Sequence, residues 1–188
     1  MKPQSIIRTS IHAGRVAAFA LLASLFIAGA VQAETIKIVA LGASNTGGSG
    51  VGSSQAWPAR LEAMLRAKGY DVTIRVNAVT GDTSAGIASR AASAASGARV
   101  VVFDVGKGND QDRGSDGSSA ANRGQIERSI RAQGAKPVFA AYARIVGSEK
   151  SNPSAWAMND VHHHLTAQSH ARVAAALLPQ VIAAIGKK

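Results

Sequence analysis

Residues 35–41 read Thr-Ile-Lys-Ile-Val-Ala-Leu and are followed by Gly42, Ala43 and Ser44. A β-branched, apolar run that ends in a glycine is typical of a buried β-strand. A serine directly after such a strand, between small neighbours, can present its hydroxyl and its own N–H at the edge of a sheet. This stretch therefore predicts the first strand of an α/β fold and a candidate nucleophile, Ser44.

Strand and helix patterns alternate along the rest of the chain. Strands are predicted at 71–79, 99–105 and 136–141, and helices after Pro58, at 83–95, at 121–133 and after Thr166. Residues 42–54 and 106–122 are predicted to be loops because they are rich in Gly, Ser and Asp. The alternation predicts a three-layer α/β fold, with a mostly parallel sheet between helices and ligands at the carboxyl ends of the strands.

The N-terminus has the organisation of a signal peptide. Three basic residues precede an apolar run at 16–30, and residues 31–33, Val-Gln-Ala, supply small side chains at the cleavage positions. The run has about 15 residues, whereas a membrane span needs roughly 20. The sequence therefore predicts a signal peptide over 1–33 and one domain over 34–188, periplasmic or secreted, with no stable membrane span after cleavage.

Composition excludes several classes of protein. The chain has no cysteine, so an exported domain would depend on packing rather than on disulfides. The formal net charge is +10, but the basic residues are scattered and only 4% of residues are aromatic. Stacking platforms for nucleic acid are therefore scarce, and no nucleic-acid partner is expected. The glycines of 47–52 fit no dinucleotide-binding register, so no such cofactor is expected.

Three further segments carry residues that could take part in catalysis. Gly81 lies between a predicted strand and a helix, where it can offer an unobstructed backbone N–H. Asn109 follows the third strand and could donate its amide to a developing oxyanion. Asp160 precedes three consecutive histidines, residues 162–164, and a carboxylate ahead of an imidazole can orient it as a general base. Consecutive histidines project in different directions, so no metal site is expected from them.

Together, these four segments resemble the blocks of the SGNH or GDSL-type hydrolase family, in the same order, from Ile36 to about Ile185. Residues 55–62, 65–72, 81–86 and 174–179 are similar to its thioesterase I/lysophospholipase L1 and arylesterase branch. The resemblance implies the flavodoxin-like SGNH fold and a serine hydrolase without metal or organic cofactor. It also implies roles for individual residues. The nucleophile would be Ser44, the oxyanion hole the N–H groups of Ser44 and Gly81 with the Asn109 side chain, and the triad partners Asp160 and a following histidine.

The chain departs from the family pattern at three positions and is ambiguous at a fourth. Ala43 and Asn45 stand where the name motif has Asp and Leu, and Lys107 stands where the third block has a glycine. For the base, three-residue spacing from Asp160 favours His163, whereas the following Leu-Thr pair favours His164.

The implied function is an exported serine esterase that hydrolyses acyl esters or thioesters through an acyl-Ser44 intermediate. Its partner would be a small-molecule ester, including lipid-derived ones, as in lysophospholipases and arylesterases. Two alternatives stay open at this point. One is a carbohydrate O-acetyl esterase with the same triad, and the other is a catalytically weakened member that binds a lipid or glycan in the same cleft.

Overall fold

The structure, a computed structural model, describes residues 34–159 and 162–186, apart from the side chains at positions 116, 158, 159, 162 and 163. The predicted signal peptide and Asp160 lie outside the described residues. The strands are β1 (Ile36–Gly42), β2 (Val72–Ala78), β3 (Val100–Phe103), β4 (Lys136–Phe139), β5 (Trp156–Asn159) and β6 (His162–Leu165). The helices are α1 (Ser44–Gly47), α2 (Trp57–Ala67), α3 (Ser84–Ala95), α4 (Lys107–Asp112), α5 (Ser119–Ala132), α6 (Tyr142–Val146) and α7 (Ala167–Ile185). Of the helices described, none is both long and apolar enough to cross a membrane.

The four strands β1 to β4 form a parallel sheet in the order β2-β1-β3-β4. β1 lies inside the sheet, and four successive residues of it, 38–41, are buried because both faces of the sheet are covered by helices. The predicted three-layer α/β architecture with a mostly parallel sheet is confirmed.

Each face of the sheet has its own apolar core. On one face, alternate sheet residues such as Ile38 and Val102 pack with α2 and α7. On the other face, the intervening residues such as Leu41 and Phe103 pack with α3 and α5. The period-2 alternation of side chains along a strand thus divides one apolar run between two cores.

The predicted loop at 106–122 is wrong in part, because it contains α4 and the start of α5. Gly106 adopts a left-handed conformation with φ of 57° and turns the chain directly from β3 into α4. The buried side chain of Asp110 then accepts hydrogen bonds from Ser84 N at 2.9 Å and from Ser119 Oγ at 2.7 Å. One carboxylate therefore joins α4 to the first residues of α3 and α5. These contacts between distant segments cannot be predicted from the helix propensity of residues 106–122.

Two other regions hold structure that the sequence patterns do not predict. The Gly/Ser-rich segment 42–54 contains the single helical turn α1. Between β4 and α7, the chain forms α6 and an antiparallel hairpin in which Trp156 pairs with Leu165 and Ala157 with His164. The predicted helix after Thr166 is present as α7, and the Thr166 side chain caps it by accepting a hydrogen bond from Ser169 N.

Candidate active site

The strand order defines where a ligand would bind. The chain passes from β1 to β2 on one side and then crosses to β3 on the other, so the order reverses between β1 and β3. In open parallel sheets, ligands bind beyond the carboxyl ends of the strands at such a switch point. The strand ends are level in the register, with Gly42 opposite Ala78 and Leu41 opposite Phe103. The loops that follow β1, β2 and β3 therefore meet at one edge.

Ser44 lies at this edge, as the first residue of α1. Ala43 is extended, and its carbonyl accepts hydrogen bonds from Thr46 N and Gly47 N, both at 3.0 Å. The side chain of Ser44 is 9% exposed. Within the part of the chain that the structure describes, no hydrogen bond uses the Ser44 Oγ or the Ser44 N–H. Both groups can therefore engage a ligand without breaking an existing interaction.

Gly81 belongs to the loop after β2 and has a φ of +73°, a conformation that favours glycine. The loop is a turn in which Asp82 N donates to the Val79 carbonyl at 3.1 Å, and Val79 N donates to the Gly42 carbonyl at 3.2 Å. The Gly81 N–H makes no hydrogen bond to any described residue. It is the second unused N–H donor at this edge.

Arg90, on α3, holds the loops in position. Its guanidinium donates to the Asp82 carboxylate at 2.7 and 3.0 Å and to the Gly42 carbonyl at 2.7 Å. It also donates to the carbonyl of Asn77 at 2.9 Å and to the Asn77 side chain. A single side chain thus ties the end of β1, the end of β2 and the Gly81 loop together. Nothing in the local sequence around Arg90 indicates this role.

Asn109 reaches the same loop from α4. Its side-chain Nδ2 donates to the Asp82 carbonyl at 2.7 Å. An amide nitrogen has two hydrogens, so this bond leaves one donor. The residue that departs from the family pattern, Lys107, becomes the first residue of α4 and is exposed. The departure at Lys107 is therefore accommodated at the helix start, and Asn109 lies next to the Gly81 loop.

Asp104, which sequence reasoning missed, is the buried polar centre beneath these loops. Its Oδ1 accepts from Gly106 N at 2.6 Å, and its Oδ2 accepts from Ala43 N at 3.2 Å and Thr46 Oγ1 at 2.5 Å. Tyr142 OH donates to the same Oδ2 at 3.2 Å. The carboxylate links the start of α1, which carries Ser44, to the start of α4, which carries Asn109. The available signal was an acidic residue directly after the apolar run of β3.

The electrostatics of this centre follow from its burial. Burial raises the pKa of the Asp104 carboxyl above its usual value, and the hydrogen bonds from Thr46, Gly106, Ala43 and Tyr142 oppose that rise. Burial and then the neighbouring charge of Asp104 raise the pKa of Tyr142 well above the usual value of a phenol. Tyr142 therefore stays protonated and can act as a donor.

The histidine segment reaches the serine loop through the backbone. Leu165 N donates to the Asn45 Oδ1 at 2.8 Å, which brings β6 against the residue that follows Ser44. His164 is 7% exposed and lies in β6 opposite Ala157. The backbone of His163 lies opposite Met158, but its side chain and all of Asp160 fall outside the described residues. The assignment of the acid and the base therefore stays a prediction.

A fourth histidine, His170, was not singled out from the sequence. It is fully buried in α7, and its Nδ1 accepts a hydrogen bond from Trp57 N at 3.1 Å. Burial, followed by the positive charges of Arg60 and His164, lowers its pKa to about 4. His170 is therefore neutral at physiological pH and serves as a structural acceptor. Among the described residues, no three His, Cys, Asp or Glu side chains are grouped as metal ligands would be.

No protein-family model matches the chain, and no curated protein sequence matches it. Solved structures do match. TesA is 22% identical, with 79% of this chain and 99% of that chain covered and a TM-score of 0.62. A variant of AlinE4, an SGNH-hydrolase family esterase, is 21% identical over 79% of this chain and 95% of that chain, with a TM-score of 0.56. A carbohydrate acetylesterase family member from Sinorhizobium meliloti is 16% identical over 81% and 100%, with a TM-score of 0.54.

At identities this low, the likeness establishes the fold. Each of these structures is matched over nearly its whole length, so the shared architecture is that of a whole domain. The resemblance that the sequence motifs indicate is confirmed at that level, and the chain has the fold of the SGNH hydrolases.

Proposed function

We propose that the protein is an exported serine esterase that hydrolyses acyl esters or thioesters through an acyl-Ser44 intermediate. The observation that carries the proposal is the set of unused groups at the switch point. The Ser44 Oγ, the Ser44 N–H and the Gly81 N–H make no hydrogen bonds within the described residues, and the Asn109 amide retains one free N–H. A nucleophile and three donors at one edge suit acyl transfer.

The mechanism assigns a step to each group. The Ser44 Oγ attacks the ester carbonyl carbon, and its proton passes to the histidine base. The carbonyl oxygen becomes an oxyanion and accepts hydrogen bonds from Ser44 N, Gly81 N and Asn109 Nδ2. The base then returns the proton to the departing alcohol or thiol. Water, deprotonated by the same base, attacks the acyl-enzyme and releases the acid and the free serine.

The base in this mechanism is His163, oriented by Asp160, with His164 as the alternative. The hydrogen bond from Leu165 N to Asn45 supports a base on this segment, because it draws β6 to the serine loop. His163→Ala and His164→Ala, prepared separately, identify the base as the variant with the larger loss of kcat.

In this mechanism, the buried Asp104 holds the catalytic groups in position. Oxyanion donors stabilise a transition state most when they are fixed before the reaction begins. Because Asp104 accepts hydrogen bonds from both Ala43 N and Gly106 N, it holds the starts of α1 and α4 at one separation. We regard it as a positioning residue in this mechanism.

The test is covalent labelling of the serine. A fluorophosphonate reagent should phosphonylate the purified protein on the peptide that contains Ser44, as read by mass spectrometry. Ser44→Ala should abolish both the label and the hydrolysis of nitrophenyl esters. Ser53→Ala, at an exposed serine in the same segment, is the matched control and should retain both. Labelling elsewhere, or unchanged hydrolysis by Ser44→Ala, would defeat the proposal.

Rates of hydrolysis of different esters distinguish the candidate functions. A carbohydrate O-acetyl esterase is the second candidate, since one of the similar structures is a carbohydrate acetylesterase family member. Faster turnover of acetylated sugars than of nitrophenyl acyl esters would favour that candidate. Binding of a lipid or glycan without turnover would instead favour the catalytically weakened alternative.

A further inference from the structure

An arginine lies beside the candidate oxyanion hole. Arg113 caps the carboxyl end of α4, and a methyl group at Gly81 would lie 3.6 Å from its Nη2. The guanidinium thus lies beside Gly81, separated from its backbone by about the space that a methyl group would fill. Arg113 is exposed. A ligand at Gly81 would therefore lie close to this cation.

The position of Arg113 is set by the fold. The bond from Asn109 Nδ2 to the Asp82 carbonyl fastens α4 to the Gly81 loop four residues before Arg113. Asp110, in the same helix, is fastened to Ser84 N at the start of α3. These two attachments hold the end of α4 against the loop. The proximity of Arg113 to Gly81 therefore follows from these two hydrogen bonds.

The guanidinium of Arg113 also has no partner among the described side chains. Within the described residues, no ion pair or side-chain hydrogen bond includes Arg113. Two acids of the neighbouring segments have other partners: Asp82 is paired with Arg90 at 2.7 Å, and Asp110 accepts from Ser84 and Ser119. Arg113 can accordingly bind an incoming anion without giving up an existing ion pair.

From this geometry we propose that Arg113 binds a carboxylate or phosphate of the substrate, so that the protein prefers esters with a negative charge close to the ester bond. The inference rests on the proposed esterase function and names its substrate class. A guanidinium presents paired N–H donors that match carboxylate and phosphate oxygens, which makes arginine suited to such groups. The anion could belong to the acyl part or to the alcohol part of the ester.

Two matched substrate pairs test the proposal. In the first pair, 4-acetoxybenzoate is compared with its neutral methyl ester, which places the charge in the alcohol part. In the second, the 4-nitrophenyl monoester of adipic acid is compared with the methyl 4-nitrophenyl diester, which places the charge in the acyl part. The measured quantity is the selectivity, the kcat/KM of the anionic ester divided by that of its neutral partner.

Arg113→Gln should lower the selectivity by about five- to tenfold in one of the two pairs, mainly through a higher KM for the anionic ester. Arg113→Lys should recover part of the loss, because it keeps the charge but not the paired donors. Arg131→Gln is the matched control. It removes the same charge from an exposed arginine in the last turn of α5, just before β4 and thus at the opposite end of the sheet, and should leave the selectivity unchanged.

The outcomes are distinguishable from those for the proposed function. An equal loss of selectivity in Arg113→Gln and Arg131→Gln would attribute the preference to overall charge and overturn the inference. Unchanged selectivity in Arg113→Gln, with neutral and anionic esters both hydrolysed, would overturn the inference and leave the esterase proposal standing. Absence of both ester hydrolysis and Ser44 labelling would overturn the esterase proposal, and this inference with it.

Discussion

At Gly42, the chain leaves β1 with no room for a side chain. A Cβ at this position would collide with Asp104 Oδ2 and Thr46 Oγ1, which are hydrogen-bonded to each other. Gly42 also supplies the carbonyl that accepts from Arg90 and from Val79 N. The glycine is required here for close approach, since its backbone lies directly over the buried carboxylate.

Gly42→Ala should therefore destabilise the protein by about 1–3 kcal/mol, the usual cost of an extra methyl group in a packed interior. The displaced Asp104 carboxylate would also release Ala43 N, so ester hydrolysis should fall together with stability. Urea unfolding gives the first quantity and initial rates give the second.

Gly124→Ala is the matched control for that substitution. Gly124 lies inside α5, where an added Cβ meets only the flexible Arg128 Nη1 at 3.4 Å. Alanine is the better helix former, so this variant should be more stable by about 0.5–1 kcal/mol. If both variants lose stability equally, the close approach at Gly42 is not the cause.

Between elements, the first turns of α2 and α7 are joined by one hydrogen bond, from Trp57 N to His170 Nδ1. Trp57 N is at the start of α2, where a helix has no internal acceptor for its N–H groups. A neutral imidazole provides that acceptor, whereas an imidazolium would carry a hydrogen at Nδ1 and could not. The packing of these helices thus depends on the protonation state of His170.

This dependence predicts acid sensitivity. The pKa of His170 is about 4 in the folded protein, below the ordinary 6.5, so the unfolded chain takes up the proton first as pH falls. The stabilisation is fully present above pH 6.5 and is lost as pH falls to about 4, by up to about 3 kcal/mol. Urea unfolding at a series of pH values between these limits measures it.

His170→Asn should remove this part of the pH dependence, because its side chain can accept from Trp57 N but does not titrate. Asp104 and the other titrating groups are common to both proteins and cancel in the difference. Parallel curves of unfolding free energy against pH for the two proteins would contradict the prediction.

For the whole molecule, the N-terminal segment decides the compartment. We propose that residues 1–33 are removed on export, since the basic, apolar and small-residue segments follow one another in the order a signal peptidase requires. Mass spectrometry of the exported protein should give an N-terminus at Glu34.

Two substitutions sharpen that test. Ala33→Arg should block processing because the position before the cut takes only small residues, whereas Gln32→Arg should be processed, since the position between the two small residues is unrestricted. Retention of residue 1 in the protein recovered outside the cytoplasm would contradict the proposed cleavage.

The main sheet was predictable because its signals are local. β3 is a continuous apolar run, β1 is one interrupted by Lys37, and β2 alternates apolar and polar residues, so neighbours along the chain suffice to identify them. The longer helices, such as α2 and α7, show their own apolar periodicity. The hairpin of β5 and β6 was not predictable in this way. Its strands are short and contain polar residues, and they are held by pairing with each other and by Asn45, 120 residues before Leu165.

The residues of the candidate site likewise fall into those that the local sequence predicts and those that it does not. Ser44, Gly81 and Asn109 could be predicted because motif chemistry sits at strand ends, and parallel strands bring their ends to one edge. Asp104, Arg90 and Arg113 could not, because their importance lies in partners distant in sequence. Local apolar patterns along the chain were thus enough to predict the parallel α/β sheet and the serine at its edge. Which side chains hold that serine loop, and which charge lies beside it, became visible only in the folded protein, because hydrogen bonds between distant residues exist only after the chain has folded.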